Sequence, residues 1–287
     1  MRVLVTGATG LLGRAVMPAL AAAGHTAQGF SLPEADVTRL ELLQRAVDGF
    51  RPDWIVHLAA FTRVDESESW REEAFRVNEI GSRNAALAAA AGRAMLLALS
   101  TDYVFDGTAT RPYRESDAAN PQSAYGASKW AGEQAVRATH ARHVIVRSSW
   151  LFGPGGYNFV DAILARAGGG ERLRVVDDQR GSPTFSGDLA QGLLRLMEVA
   201  RPGTYHCTNS GDCTWYELAA RALELAGLDV PLERTDTATM GRAAPRPAYS
   251  VLANARFEQV TGWRMPPWQD ALGRHLAAAA GAMGRKA

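Results

Sequence analysis

Cysteine is scarce in this chain: 287 residues carry only Cys207 and Cys213. The two flank a polar loop and match no metal-site spacing, so a disulfide framework is not expected and inert thiols in a reducing compartment are. Charge of a dominant sign is missing as well. The formal net charge is +1 and no basic cluster stands out, which argues against nucleic acid as a partner. Long hydrophobic runs are absent. The most apolar stretch, residues 85–99, is interrupted by Arg93 and reads as a buried alanine-rich helix followed by a strand, so no membrane association is expected. A strand beginning at residue 2 leaves no room for a signal peptide, and a cytoplasmic location is the expectation. There is no internal repeat, and no P-loop lysine to support hydrolysis of a nucleoside triphosphate. What remains is an ordinary globular composition, 47% hydrophobic and 21% charged, sufficient for one large domain or a domain with an appended lobe.

The first half alternates short β-branched runs with alanine-rich helical stretches. Strands are expected at 2–6, 26–30, 54–58, 94–100 and 143–147, and helices at 12–23, 38–50, 70–91 and 124–139. Such alternation predicts an α/β, doubly wound (Rossmann) parallel sheet with helices on both faces. Beyond residue 151 glycine and proline punctuate the pattern, with helices at 158–167, 186–199 and 214–226 between short strands such as 173–176. The expected division is a dinucleotide-binding domain, residues 1–150, followed by a smaller, irregular α/β substrate lobe, 151–287. Some segments of that lobe should return to the main sheet.

Gly7, Gly10 and Gly13 fall where the first strand turns into the first helix. The first two permit a tight turn and a close backbone approach to a pyrophosphate, and the third permits close packing of helix on strand. The helix N-terminus adds amide donors and a partial positive charge. The spacing is GxxGxxG rather than GxGxxG, so an ordinary strand–helix turn is the competing reading. About 20 residues on, where an acidic side chain would bind a ribose 2′-hydroxyl, stand Phe30 and Ser31. With no carboxylate to repel a 2′-phosphate, NADPH is the expected cofactor and NADH the alternative. Arg14 offers a positive charge there, or is a solvated helix residue. Asp36 and Val37 fall where an adenine ring would lie, Asp36 equally suiting a cap for the following helix.

Tyr125 and Lys129 stand one helical turn apart, on one face. A carbonyl receiving hydride needs a proton on its oxygen. A free phenol has a pKa of about 10, and a nearby ammonium is expected to bring it towards working pH. Such pairs arise by chance on many helices. This one follows Ser100-Thr101-Asp102-Tyr103 at the carboxyl end of a predicted strand, where open α/β sheets bind ligands. Thr101 would offer a second hydrogen bond to the carbonyl, and Lys129 would also hold the nicotinamide ribose. Asp102 would contact the substrate or brace the turn.

These motifs resemble the extended short-chain dehydrogenase/reductases, and more narrowly the dTDP-4-dehydrorhamnose reductase family. Besides the glycine loop and Tyr125-Gly126-Ala127-Ser128-Lys129, the likeness rests on residues 59–65, Val77-Asn78, residues 100–107 and 147–153. Later it covers 158–160, 175–184, 214–217 and 246–250. The stretch Val175-Val176-Asp177-Asp178-Gln179 with Gly181-Ser182-Pro183-Thr184 is the most particular. The resemblance implies NAD(P)H-dependent reduction of the C4 ketone of dTDP-4-dehydro-6-deoxy-L-mannose. Tyr125 would be the proton donor, supported by Lys129 and Thr101. Gly10, Leu11 and Leu12 would cradle the pyrophosphate, Asp36 and Val37 the adenine, and Ala60, Phe61, Thr62 and Leu99 the rest of the cofactor. Thr101, Asp102 and Trp150 would meet the sugar, although a core tryptophan after a strand is an equal reading of Trp150.

Two positions depart from the family pattern. Some members dimerise through magnesium held partly by a glutamate two residues after the third glycine; here that position is Ala15, so no metal and no metal-bridged dimer is expected, leaving a monomer or a plain homodimer. Phe61 stands where a polar residue or tyrosine is common. Two competing classes are weighed. The regulatory β subunit of methionine adenosyltransferase has a run closely similar to residues 7–16, but Trp150-Leu151-Phe152-Gly153 and the intact 175–184 segment favour a reductase. Epimerases and dehydratases of nucleotide sugars are the other class. Dehydratases commonly place Asp-Glu after the threonine, whereas here Asp102-Tyr103 follows Thr101.

Overall fold

The computed structural model describes residues 1–32 and 35–283. The β-branched runs become strands because both of their faces are covered. In β1 (Arg2–Thr6), Val3 and Val5 point into one apolar layer and Leu4 into the other, all fully buried. Burying each such side chain contributes about 1.5–3 kcal/mol. The chain continues through α1 (Gly13–Ala22), β2 (Thr26–Phe30), α2 (Leu40–Phe50) and β3 (Trp54–His57). Two short helices, α3 (Glu66–Ser69) and α4 (Arg71–Phe75), lead through a π turn at Arg76–Ile80 into α5 (Gly81–Ala91). Then come β4 (Met95–Thr101), a 3₁₀ turn at Asp102–Val104, α6 (Ala124–Thr139) and β5 (His143–Ser148).

The second half runs β6 (Leu151–Phe152), α7 (Phe159–Gly168), β7 (Leu173–Val176), β8 (Arg180–Gly181), β9 (Thr184–Phe185) and α8 (Ser186–Val199). It ends with β10 (Gly203–His206), β11 (Cys213–Thr214), α9 (Trp215–Ala226), β12 (Leu232–Thr235), α10 (Thr237–Met240), α11 (Ala255–Thr261) and α12 (Trp268–Met283). The main sheet has six strands in the order β10-β5-β4-β3-β1-β2, each pair parallel. From β1 the chain goes to β2 on one side and then crosses to β3 on the other. That reversal opens a crevice at the carboxyl ends of β1 and β3, where ligands of such sheets bind.

β10 pairs with β5, and Leu189 and Leu193 of α8 share a core with Val16 and Leu20 of α1. The remainder builds two smaller apolar clusters around α7, α9 and α12, tied by short pairs β7–β12, β8–β11 and β6–β9. Thr214 starts α9 with a reciprocal capping box to Glu217, and Gly227 ends it in the left-handed region.

Two local readings need correction. The helical run expected over 70–91 is interrupted at Arg76–Ile80, where the wider π turn accommodates Asn78 with its side chain buried. Asp36 does not cap α2, whose N-cap is Arg39; its carboxylate instead accepts from the Thr38 amide at 2.8 Å, a local turn ahead of the helix.

Candidate active site

Gly7 has φ +67°, and a Cβ there would lie 2.7 Å from the Ala59 nitrogen, where β1 and β3 end together. At Gly13 a Cβ would sit 2.4 Å from the Gly7 carbonyl oxygen. Neither position tolerates a side chain, and the Gly10 amide closes the turn by donating to Gly7 O at 3.0 Å. No side chain caps α1, so the amides of its first turn are not claimed by a side chain. The Leu12 side chain is buried in the core, which leaves its backbone as the part that faces the loop. Beyond β2, the Thr9 amide donates to the Ser31 hydroxyl at 3.3 Å and Arg14 Nε donates to the Thr9 carbonyl at 2.8 Å. Ser31 and the exposed Arg14 thus both bond to Thr9, and among the described residues no carboxylate directly follows Phe30 at the end of the strand. Val37 is buried against Gly81, and Asn84 donates to its carbonyl at 3.0 Å.

The segment Ala60-Phe61-Thr62 leaves β3 under the control of Asn78. Its Oδ1 accepts from Phe61 N at 2.8 Å, and its Nδ2 donates to Phe61 O at 3.0 Å and to the Ser128 hydroxyl at 2.9 Å. Ser128 in turn donates to the Tyr125 carbonyl at 2.8 Å. Sequence reasoning assigned no role to Asn78 or Ser128, although both lie inside the quoted motifs. Their side chains join the β3 loop to the helix that carries Tyr125. Phe61 itself is buried, with the Arg63 guanidinium 4.9 Å from its ring centre.

Helix α6 starts at Ser123, whose hydroxyl accepts from Gly126 N at 3.1 Å. It packs closely because a Cβ at Gly126 would lie 2.2 Å from the Tyr103 carbonyl oxygen, and one at Gly132 would lie 2.4 Å from that of Asn78. This approach sets Tyr125 beside Thr101. Burial pushes the Tyr125 phenol up to about 12; the neighbouring Thr101 hydroxyl opposes that shift and Asp102 adds to it. The expectation that Lys129 brings the phenol towards neutrality is therefore not met. Lys129 Nζ donates to the Leu99 carbonyl at 2.7 Å instead, and the ammonium is itself pushed down to about 8 by burial, with Glu133 opposing. At neutral pH the phenol is protonated, which is the form a reduction requires.

Asp102 is buried. Its Oδ1 accepts from Thr101 Oγ1 at 3.0 Å, while its Oδ2 has no hydrogen-bond partner. Burial raises its pKa to about 6, against the pull of Ser250 and Thr101. An unpartnered buried oxygen just past the carboxyl end of a strand is a candidate to accept a ligand hydroxyl. Behind Lys129, Glu133 is held by Arg147 through two bonds of 2.8 Å and by Ser100 at 2.6 Å. Burial acts to raise the Glu133 pKa, but these partners win and hold the carboxyl below its usual range. His57 lies between Thr6, at 2.8 Å, and Ser82, at 3.3 Å, and burial lowers its pKa to about 3, so the ring is neutral.

From the second half, Trp150 has φ +46° and its ring stacks on Trp215 at 3.5 Å and 6°. Its other constraint is Gly181, where a Cβ would meet the ring at 2.5 Å. The tryptophan is half-buried and shares a cluster with Phe159 and Phe185, so it is a packed wall of the lobe. Both cysteines are free and buried. Among the described residues no group of three or more His, Cys, Asp or Glu is gathered to hold a metal ion, and no helix is long and apolar enough to cross a membrane.

The parallel sheet, the glycine turn at its switch point and the Tyr125/Lys129 pair beside a strand-end Thr101 define an oxidoreductase of the extended short-chain dehydrogenase/reductase class. Comparison with known proteins narrows this. The model of the RmlD substrate binding domain family matches residues 1–280. A dTDP-4-dehydrorhamnose reductase of Streptomyces griseus is 40% identical, covering 99% of this chain and 96% of that protein. The spore coat polysaccharide biosynthesis protein SpsK of Bacillus subtilis is also 40% identical, over 96% of each chain. The crystal structure of dTDP-4-dehydrorhamnose reductase from Bacillus anthracis in complex with NADP superposes with a TM-score of 0.94. It is 38% identical, over 96% of this chain and 99% of that one. The chain belongs to the RmlD substrate binding domain family.

Proposed function

We propose that the protein reduces the C4 ketone of dTDP-4-dehydro-6-deoxy-L-mannose to give dTDP-L-rhamnose, using NADPH, with NADH as the alternative donor. The observation that supports this reading is that Thr101, Asp102, Tyr125 and Lys129 gather at the carboxyl end of β4, on the same edge of the parallel sheet as the Gly7–Gly13 cradle that follows β1. The cradle fits a dinucleotide. Gly7, Gly10, Leu11, Leu12 and Gly13 would hold its pyrophosphate, Asp36 and Val37 its adenine, and Ala60, Phe61, Thr62 and Leu99 its middle. Ser31 in place of a carboxylate, with Arg14 nearby, suits a 2′-phosphate. When bound, the reduced nicotinamide supplies a hydride to C4.

Tyr125 gives its proton to the carbonyl oxygen, and Thr101 hydrogen-bonds that oxygen as charge develops on it. Lys129, anchored on the Leu99 carbonyl, holds the ribose, while Asp102 accepts a sugar hydroxyl and Trp150 walls the sugar site. Residues 1–150 thus serve mainly the cofactor and 151–287 mainly the sugar nucleotide. The protein acts in the cytoplasm as a monomer or a homodimer without a bridging metal. An assay of NADPH and NADH oxidation against a panel of nucleotide 4-keto sugars tests the reading. Cofactor loss that depends on the dTDP-linked 4-keto-6-deoxy sugar is the expected result; no loss with it contradicts the reading.

A further inference from the structure

A segment of the second half, residues 244–253, crosses the catalytic end of the sheet. Ala244 N donates to Asp65 Oδ1 at 3.1 Å, and Arg246 grips the same carboxylate with two bonds of 2.9 Å. Pro247 lies against Gly107, where a Cβ would come within 2.6 Å of the proline. Further on, Ser250 N donates to the Arg180 carbonyl at 2.8 Å, and Tyr113 and residues 251–253 exchange two backbone bonds of 2.8 Å. The strap is therefore anchored at both ends. Along its course Ser250 comes near the Asp102 carboxyl and the Arg246 guanidinium near the side chain of Tyr103.

Tyr103 meets Tyr125 edge to face, with ring centres 5.7 Å apart. Asp65 follows the 60–62 segment, and Arg246 is mostly buried at the contact, so the pair is held in one geometry rather than waving in solvent. Arg242 stands 3.6 Å from the same carboxylate but is exposed. We infer that Asp65 and Arg246 form a positioning clasp: together they fix Tyr103 against the ring of Tyr125 and so aim the phenol at the substrate carbonyl. Neither touches the reacting atoms. Loss of the clasp loosens the angle at which the proton is delivered, a fault that shows in turnover rather than in cofactor binding.

The inference rests on the reductase reading above. Its test compares Asp65→Asn, Arg246→Met, the double variant and Arg246→Lys in the full-length protein. In each single variant kcat should fall by about tenfold or more, with KM for NADPH within about twofold of the parent. The double variant should be no worse than the weaker single one, and Arg246→Lys should recover part of the loss. Unchanged kcat, or losses of kcat, cofactor affinity and Tm in parallel, would overturn the clasp. A crystal structure of Arg246→Met provides a second arm that needs no substrate. Displacement of the Tyr103–Tyr125 ring pair supports the proposal, and an unmoved pair refutes it. An inactive parent enzyme would refute the reductase reading and leave this second arm to decide the clasp.

Discussion

Lys129 Nζ and the carbonyl oxygen of Leu99 meet at 2.7 Å, so the buried ammonium is tied to the strand end rather than to the phenol one turn away. Its pKa is lowered to about 8, chiefly by burial. The group is charged at neutral pH and loses its proton as pH rises through that value. If it holds the cofactor ribose, NADPH should bind progressively more weakly between about pH 7 and pH 9. A fluorescence titration should show this in the parent and a flat, weaker profile in Lys129→Met. A parent affinity constant across that window would remove Lys129 from the cofactor site.

Asp102 predicts a trade of stability against function. Its folded pKa, about 6, lies above the unfolded value of 3.8, so the folded state holds the proton more tightly. Stability therefore falls as pH rises from about 4 to 6 and stays reduced above that. Asp102→Asn should remove this penalty. The variant should be roughly 1–3 kcal/mol more stable than the parent at pH 7, and near parity at pH 4, by urea denaturation. If Asp102 accepts a sugar hydroxyl as proposed, turnover should fall, since the amide keeps one acceptor oxygen, which Thr101 occupies, and puts an NH2 donor in place of the other.

Gly126→Ala places a methyl group 2.2 Å from a backbone oxygen, that of Tyr103, and neither partner has a flexible end to yield. Forcing α6 away from the strand end should cost about 1–3 kcal/mol in denaturant unfolding. Because the same helix carries Tyr125 and Lys129, kcat should drop as well. Parental stability and activity would contradict the close packing described here.

Tyr125→Phe should lower kcat by about 10²–10⁴-fold while NADPH affinity stays within a few-fold, because the ring remains and the proton donor does not. A variant that turns over at the parental rate would move proton delivery to another group.

Much of the architecture could be read from local pattern. Val3-Leu4-Val5 and Trp54-Ile55-Val56 are buried on both faces, and the helix expected over 124–139 forms with those ends. The glycine turn was legible because Gly7 and Gly13 obey steric limits that belong to the turn itself. What the linear chain hid were relationships between distant segments. Asn78 reaches Phe61 and Ser128 across 17 and 50 positions, and Arg246 reaches Asp65 across 181. The Tyr125 pKa was misjudged for a related reason. Spacing placed Lys129 on the right face, but only the fold reveals that its hydrogen goes to Leu99 and that burial dominates the phenol.

In the proposed reaction hydride reaches C4 of the sugar while Tyr125 protonates the oxygen. Reduction of dTDP-4-dehydro-6-deoxy-L-mannose with NADPH deuterated at the transferring position, followed by NMR of the product, tests it most directly. Deuterium should appear at C4 of dTDP-L-rhamnose with the parent enzyme, and Tyr125→Phe should give little product. Product lacking deuterium at C4, or labelled product formed equally well by both proteins, would contradict it.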